Sequence, residues 1–161
     1  MIENLPASHA TESGSDLAWG NAASTEIGQP RLLIVDDEPA VRKVVQRIAE
    51  ATGFQTTMAE NGREAMKLIE RTTFAAIVTD IYMPDQDGLE LLRQLRGIHP
   101  APTIIAMSGG GRFGFSALDT ATLLGAKHVF TKPFDVTTFI ELLQRISFES
   151  GRLASPPIAN H

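Results

Sequence analysis

Five short segments rich in apolar or β-branched residues recur between residues 31 and 132, and turn or polar residues bound each of them. They occupy residues 32–35, 54–59, 75–80, 103–107 and 128–131. Most of the runs are rich in β-branched residues and lack the alternation of a strand that is half exposed. This pattern is typical of strands that are buried on both faces of a parallel sheet.

The segments between these runs repeat their apolar residues at the helical period. The first predicted helix begins near Pro39 and ends before Gly53. Its predicted buried face consists of Val41, Val44, Val45, Ile48 and Thr52. The last predicted helix runs from about Asp135 to Phe148 and buries Val136, Phe139, Leu142, Leu143 and Ile146. Strands that alternate with helices predict an α/β fold of the flavodoxin-like type, a doubly wound five-stranded parallel sheet in the order 2-1-3-4-5.

The ordered domain is predicted to span residues 31–148. Residues 1–30 contain no Lys or Arg and show no sustained periodicity, so we predict a disordered N-terminal extension. Residues 149–161, which include Pro156-Pro157, are predicted to form a flexible tail. Because so few residues follow the last predicted helix, we expect a stand-alone domain without a separate output domain.

Composition narrows the function classes. The chain has 161 residues with 14 basic and 19 acidic side chains, a net charge of −5 that argues against non-specific nucleic-acid binding. The absence of cysteine excludes disulfides and thiolate zinc sites. No apolar run approaches the roughly 18 residues of a membrane span, and the N-terminus lacks the features of a secretory signal. We therefore expect a cytoplasmic protein that binds neither nucleic acid nor membrane.

Polar residues follow four of the five predicted strands. Asp36 and Asp37 come directly after the first, Asp80 ends the third, Ser108 follows the fourth, and Lys132 follows the fifth. Taken alone, each has an ordinary explanation as a turn residue or a helix cap. Because the carboxyl ends of parallel strands meet at one edge of a sheet, together they predict a site at that edge.

The residue types at this edge point to phosphoryl transfer. Three neighbouring carboxylates repel one another unless a cation joins them. Ligands that are all oxygen select a hard ion, so Mg²⁺ is expected, with Mn²⁺ as an alternative. A nucleophilic carboxylate, a divalent metal, an ammonium group and a hydroxyl together supply the positioning and charge neutralisation that phosphoryl transfer requires.

These residues and their surroundings resemble a known family in their order and strand positions: 35–38, Asp80, Met83-Pro84, Gly88, Ser108 and 132–134. The set is similar to the receiver domain of two-component response regulators, and the resemblance covers residues 31–148. It implies that Asp80 accepts a phosphoryl group from a phosphohistidine of a sensor histidine kinase or a histidine phosphotransfer protein. It also implies that the domain catalyses only its own phosphorylation and dephosphorylation and is not an enzyme acting on a separate substrate.

The resemblance also implies a role for each remaining site residue. Asp37, Asp80 and the backbone carbonyl of Tyr82 would bind Mg²⁺ directly, and Asp36 would bind it through water. Lys132, which would precede a cis peptide bond, would hold the phosphoryl oxygens. Ser108 would bond to those oxygens after transfer.

Signalling in the family depends on an aromatic residue three positions before the lysine, where this chain has Val129. Phe130 is one position away and is predicted to face the opposite side of the strand. We therefore expect the glycine-rich loop at 109–114 and the helix after it to move instead. The last two helices and the fifth strand would dock on a downstream protein whose identity the sequence does not give.

Three other functions compete with this interpretation. A receiver-fold interaction module that never carries phosphate would need none of the acidic residues. A metal-dependent phosphatase with an aspartyl nucleophile would place a second Asp two residues after the first, but the chain has 36–38 as Asp-Asp-Glu. A flavin-binding domain would need a stronger phosphate loop than residues 108–114.

Overall fold

Strands and helices alternate throughout the computed structural model, which describes residues 28–83, 88–109 and 114–153. Within these segments the strands are β1 (Arg31–Val35), β2 (Gln55–Ala59), β3 (Ala76–Asp80), β4 (Thr103–Gly109) and β5 (His128–Lys132). The helices are α1 (Pro39–Ala51), α2 (Gly62–Ile69), α3 (Gly88–Leu95), α4 (Gly114–Leu123) and α5 (Val136–Leu153).

The strands form one parallel sheet in the order β2-β1-β3-β4-β5. This confirms the doubly wound fold and the strand order that the sequence predicted. Val35 pairs with Thr79, and Asp80 pairs with Met107, so the last residues of the central strands lie level with one another. The sheet therefore presents its carboxyl ends at a common edge.

Each face of the sheet supports its own hydrophobic core. Leu33, Val35 and Ile77 belong to a core that includes residues of α2, α3 and α4. Leu32 and Ile34 belong to a second core, which α1 and α5 cover. Successive side chains of a strand point to opposite faces, so the four apolar residues 32–35 of β1 serve both cores.

Two helices differ in detail from their predicted buried faces. In α1, Val44 is 48% exposed although it was predicted to face inward, whereas Arg42 is buried. The residues that face the sheet are Arg42, Val45 and Ala49, which share one side at spacings of three and four. Val136 was also predicted to be buried but is 47% exposed, because it is the first residue of α5 and lies before the turn that packs on the sheet.

The last helix extends five residues beyond its predicted end at Phe148. Within this extension the guanidinium of Arg152 lies 5.7 Å from the centre of the Phe148 ring, a contact between residues four apart that favours the helix. The first helix ends as predicted, since Gly53 adopts a left-handed φ of 95°. Residues 1–27 and 154–161 lie outside the described residues, so the predicted extension and the rest of the tail stay predictions. Among the described helices, none has the length and hydropathy that crossing a membrane requires.

Candidate functional site

A lysine joins two carboxylates at the carboxyl edge of the sheet. Asp36 directly follows β1, Asp80 ends β3 and Lys132 ends β5. The Nζ atom of Lys132 donates to Oδ2 of Asp36 at 2.6 Å and to Oδ2 of Asp80 at 3.0 Å. Three of the predicted site residues, separated by up to 96 positions in the chain, are thus in direct contact.

These charges lie almost entirely away from solvent. Asp36 is 2% exposed and Asp80 is 5% exposed. Burial raises the pKa of Asp80, and the hydrogen bond and positive charge of Lys132 offset only part of that rise. Burial alone would lower the pKa of Lys132, but its bonds to the two carboxylates raise it. The ammonium therefore stays charged, while the carboxylate of Asp80 is held at an energetic disadvantage.

Backbone groups fix the orientation of both carboxylates. The amide of Tyr82 donates to Oδ1 of Asp80 at 3.1 Å, and the amide of Glu38 donates to Oδ1 of Asp36 at 2.9 Å. Each carboxylate thus has one oxygen on a backbone amide and the other on Lys132. Tyr82 lies at the same edge, and the role of its carbonyl stays a prediction.

Gly88 packs against the backbone of Asp80. A Cβ atom at position 88 would lie 2.0 Å from the carbonyl oxygen of Asp80 and 2.8 Å from Cα of Ile81. The amide of Gly88 also donates to the carbonyl of Ile81 at 2.8 Å. A glycine is required here because the start of α3 touches the backbone of the strand end that carries Asp80.

Four carboxylates converge beside Lys132. Asp36, Asp37, Glu38 and Asp80 can each place one oxygen within 4.8 Å of the others. Asp37 and Glu38 are exposed, so the cluster opens to solvent on that side. An open set made only of carboxylate oxygens fits a hard divalent ion that retains water ligands. Glu38 was not predicted as a ligand, although its position directly after the two aspartates was a usable signal.

Ser108 lies at the same edge but outside this network. It follows Met107, the partner of Asp80 in the sheet, and its side chain is completely buried. Its hydroxyl donates to the carbonyl of Gly109 at 3.2 Å. Of the loop predicted to move, residues 110–113 lie outside the described residues, so that prediction is untested.

Val129 and Phe130 face opposite sides of the sheet, as predicted. Val129 is 40% exposed. The ring of Phe130 packs edge-on against those of Phe134 and Phe139, at centroid distances of 6.3 and 5.3 Å. The peptide bond between Lys132 and Pro133 is cis, as the resemblance implied. No aromatic side chain therefore stands on the face of β5 where the family's switch residue was expected.

Arg42 is a residue of this region that sequence reasoning missed. Its Nη1 atom donates to the backbone carbonyl of Asp36 at 2.6 Å, and its Nη2 atom lies 3.4 Å from Oε1 of Glu60. Its burial could have been predicted from its spacing, because it lies three positions before Val45 and seven before Ala49 on the face that packs on the sheet.

The sequence profile described as the response regulator receiver domain matches residues 32–144. The chain is 34% identical to the chemotaxis protein CheY of Listeria monocytogenes over 116 residues, which cover 71% of this chain and 96% of that protein. It is 33% identical over 112 residues to the DNA-binding transcriptional regulator NtrC of Escherichia coli, covering 70% of this chain. The matched part spans about a quarter (24%) of the length of NtrC.

Solved structures agree with these sequence matches. The signal receiver domain of a signal transduction histidine kinase from Syntrophus aciditrophicus superposes with a TM-score of 0.68 at 28% identity. The superposition covers 81% of this chain and 99% of that domain.

Proposed function

Because the chain belongs to the response regulator receiver domain family, we propose that Asp80 accepts a phosphoryl group from a phosphohistidine. The proposed donor is a sensor histidine kinase or a histidine phosphotransfer protein, and the proposed location of the protein is the cytoplasm. An oxygen of Asp80 forms the new bond to phosphorus while the phosphorus–nitrogen bond of the donor breaks. The released imidazole nitrogen keeps the bonding electron pair.

The contact that carries this proposal is the bridge from Lys132 to Asp36 and Asp80. This bridge places a fixed positive charge beside the carboxylate of Asp80, which phosphorylation would convert into a negatively charged acyl phosphate. A preorganised charge of this kind stabilises the transferring group without rearrangement. The neighbouring hydroxyl of Ser108 can exchange its bond to Gly109 for one to a phosphoryl oxygen.

The acidic cluster is suited to Mg²⁺, with Mn²⁺ as a substitute. Asp37, Asp80 and the backbone carbonyl of Tyr82 would hold the ion, and Asp36 would act through a water molecule. When bound, the ion neutralises charge on the oxygens of the transferring phosphoryl group. Glu38 adds a fourth carboxylate within reach of the same position.

Phosphorylation then changes what the domain binds. The new negative charge attracts the ammonium of Lys132 and the hydroxyl of Ser108. The loop after Ser108 and the last two helices then carry the change to a downstream protein. The domain catalyses only its own phosphorylation and dephosphorylation.

The test is the intact mass of the protein after incubation with acetyl phosphate, with Mg²⁺ or with EDTA. We expect a gain of one phosphoryl group that requires Mg²⁺ and is absent in Asp80→Asn. Asp119→Asn, which changes an exposed aspartate on α4, is the matched control and should react like the wild type.

A gain of equal size in Asp80→Asn would exclude Asp80 as the acceptor. If the wild type neither gains mass nor binds beryllofluoride, a stable mimic of the phosphoryl group, the proposal fails. The domain would then be a phosphate-independent interaction module.

A further inference from the structure

We propose that Arg42 is a positioning residue that sets the affinity of the acidic cluster for its divalent ion. This inference rests on the proposed function. Arg42 is the only basic residue among the buried polar and charged side chains of the described residues. A buried charge requires partners, and one of the two partners of the Arg42 side chain lies in the turn that carries the carboxylates.

The main partner of the guanidinium is a backbone carbonyl. Nη1 donates to the carbonyl oxygen of Asp36 at 2.6 Å in a buried hydrogen bond. The second contact, to Glu60, is longer at 3.4 Å and involves a side chain that is 71% exposed. Water competes for such an exposed ion pair, so we assign the function of Arg42 to the bond with Asp36.

Arg42 donates hydrogen bonds to two backbone carbonyls of the turn between β1 and α1. Its own amide donates to the carbonyl of Glu38 at 3.1 Å, while its side chain holds the carbonyl of Asp36. The amide of Asp36 is in turn bonded to the carbonyl of Ala59 at the end of β2. The backbone of the turn between β1 and α1 is therefore fixed at both of its ends.

Among the carboxylates predicted to bind the ion, Asp37 depends most on this support. Within the described parts of the chain, its side chain has no hydrogen-bond partner, unlike Asp36 and Asp80. The peptide bond between residues 36 and 37 is planar, so a fixed carbonyl of Asp36 also fixes the amide of Asp37. Arg42 thus orients the start of Asp37 through the backbone, without touching its carboxylate.

Positioning and simple electrostatics predict opposite effects of removing Arg42. Loss of a positive charge near the cluster would, by charge alone, tighten the binding of a cation. Loss of a group that orients metal ligands typically weakens metal binding by about 10-fold to 100-fold. The sign of the change in affinity therefore separates the two explanations.

The experiment measures Mg²⁺ affinity by isothermal titration calorimetry for the wild type, Arg42→Met, Arg42→Lys and Arg47→Met. We expect Arg42→Met to bind Mg²⁺ about 10-fold or more weakly than the wild type. Arg42→Lys should recover part of the affinity, because an ammonium can reach one partner but lacks the fork of the guanidinium. Arg47 is an exposed arginine on the same helix, so Arg47→Met should bind like the wild type.

Phosphorylation by acetyl phosphate gives a second readout. In Arg42→Met, the Mg²⁺ concentration needed for half the maximal rate should rise, while the rate at saturating Mg²⁺ should change less. Circular dichroism and thermal unfolding in EDTA establish that the variant is folded. If Arg42→Met does not fold, Arg42→Lys decides, and an affinity equal to that of the wild type overturns the inference.

An affinity of folded Arg42→Met equal to or tighter than that of the wild type also overturns it. In that case a wild type that still binds Mg²⁺ and gains a phosphoryl group leaves the proposed function intact. Failure of the wild type in both measurements would instead contradict the proposed function itself.

Discussion

Asp80 is the residue at which the proposed chemistry and the stability of the fold oppose each other. Asp80 is 5% exposed, and burial raises the pKa of its carboxyl above 3.8. A raised pKa means that the folded state disfavours the ionised form relative to the unfolded state. The fold therefore maintains an ionised carboxylate at the edge of the sheet at a cost in stability, which a neutral residue would avoid.

We predict that Asp80→Asn raises the thermal stability of the protein in EDTA at neutral pH. As pH rises above 3.8, the unfolded state loses its proton first, so the stability that Asp80 contributes in the wild type falls until the folded carboxyl has also ionised. Asparagine does not ionise, so the advantage of the variant should grow with pH above 3.8 and then level off. Thermal unfolding at a series of pH values measures this difference.

Lys132 keeps its contact with Asp36 in this variant, so no buried charge is left without a partner. Asp119→Asn, at an exposed position, is the control and should show no such pH-dependent gain. A lower stability of Asp80→Asn at neutral pH would show that the bonds from Lys132 and Tyr82 outweigh the burial of the carboxylate.

At the scale of elements, the start of α3 determines where the end of β3 lies. Gly88 permits a contact with the backbone of Asp80 that no other residue fits. The helix and the strand end are also joined by the hydrogen bond from Gly88 to Ile81. The position of Asp80 thus depends on helix packing as well as on strand pairing.

We predict that Gly88→Ala destabilises the domain by about 1–3 kcal/mol, because the added Cβ forces two backbone segments apart. Phosphorylation by acetyl phosphate should slow as well, since the clash falls on the carbonyl of Asp80. Urea denaturation and the rate of mass gain measure the two effects.

Gly97→Ala is the matched control for this prediction. A Cβ at position 97 would meet no atom within 4 Å, so the change should alter stability by no more than about 0.5 kcal/mol. Equal effects of the two substitutions would contradict the role assigned to Gly88.

The packing of elements also explains why the predicted buried face of α1 differs from the observed one. Val44 and Val45 are equally apolar, and periodicity alone did not separate them. Burial at positions 42, 45 and 49 leaves Val44 pointing away. It admits the long side chain of Arg42 because the carbonyl of Asp36 accepts a hydrogen bond from the guanidinium. The rotation of α1 thus depends on a polar contact, the bond from Arg42 to the carbonyl of Asp36, which the pattern of apolar residues does not reveal.

At the scale of the whole molecule, one sheet separates two cores, and Phe139 is a fully buried member of the core that α1 and α5 cover. Its side chain is completely buried, and its ring lies 5.3 Å from that of Phe130 and 5.0 Å from that of Phe134. Phe134 follows Lys132 by two residues, so this aromatic group supports the strand end that carries the lysine.

We predict that Phe139→Ala lowers the free energy of unfolding by about 3–5 kcal/mol, through lost burial and the cavity that remains. This is a large part of the roughly 5–15 kcal/mol that stabilises a typical domain. Urea denaturation measures the change. Leu123→Ala, at a side chain that is 77% exposed, should cost no more than about 0.5 kcal/mol, and comparable losses in both variants would contradict the prediction.

The sequence by itself determined the fold and the place of the site. Buried parallel strands must be apolar throughout, and the helices between them must be amphipathic, so both periods are visible in the chain. The position of Asp36, Asp80 and Lys132 at the carboxyl ends of such strands was sufficient to predict that they meet. Local patterns carry this information because secondary structure and strand direction are properties of neighbouring residues.

Only the tertiary structure decided which atoms meet and how the site is supported. The bridge of Lys132 joins residues up to 96 positions apart, and the contact of Gly88 with Asp80 depends on how α3 packs. The burial of Arg42 depends on its bond to the backbone carbonyl of Asp36. Every residue has such a carbonyl, so the sequence does not show which one the guanidinium binds. Such contacts arise from the relative positions of separate elements, and tertiary packing sets those positions.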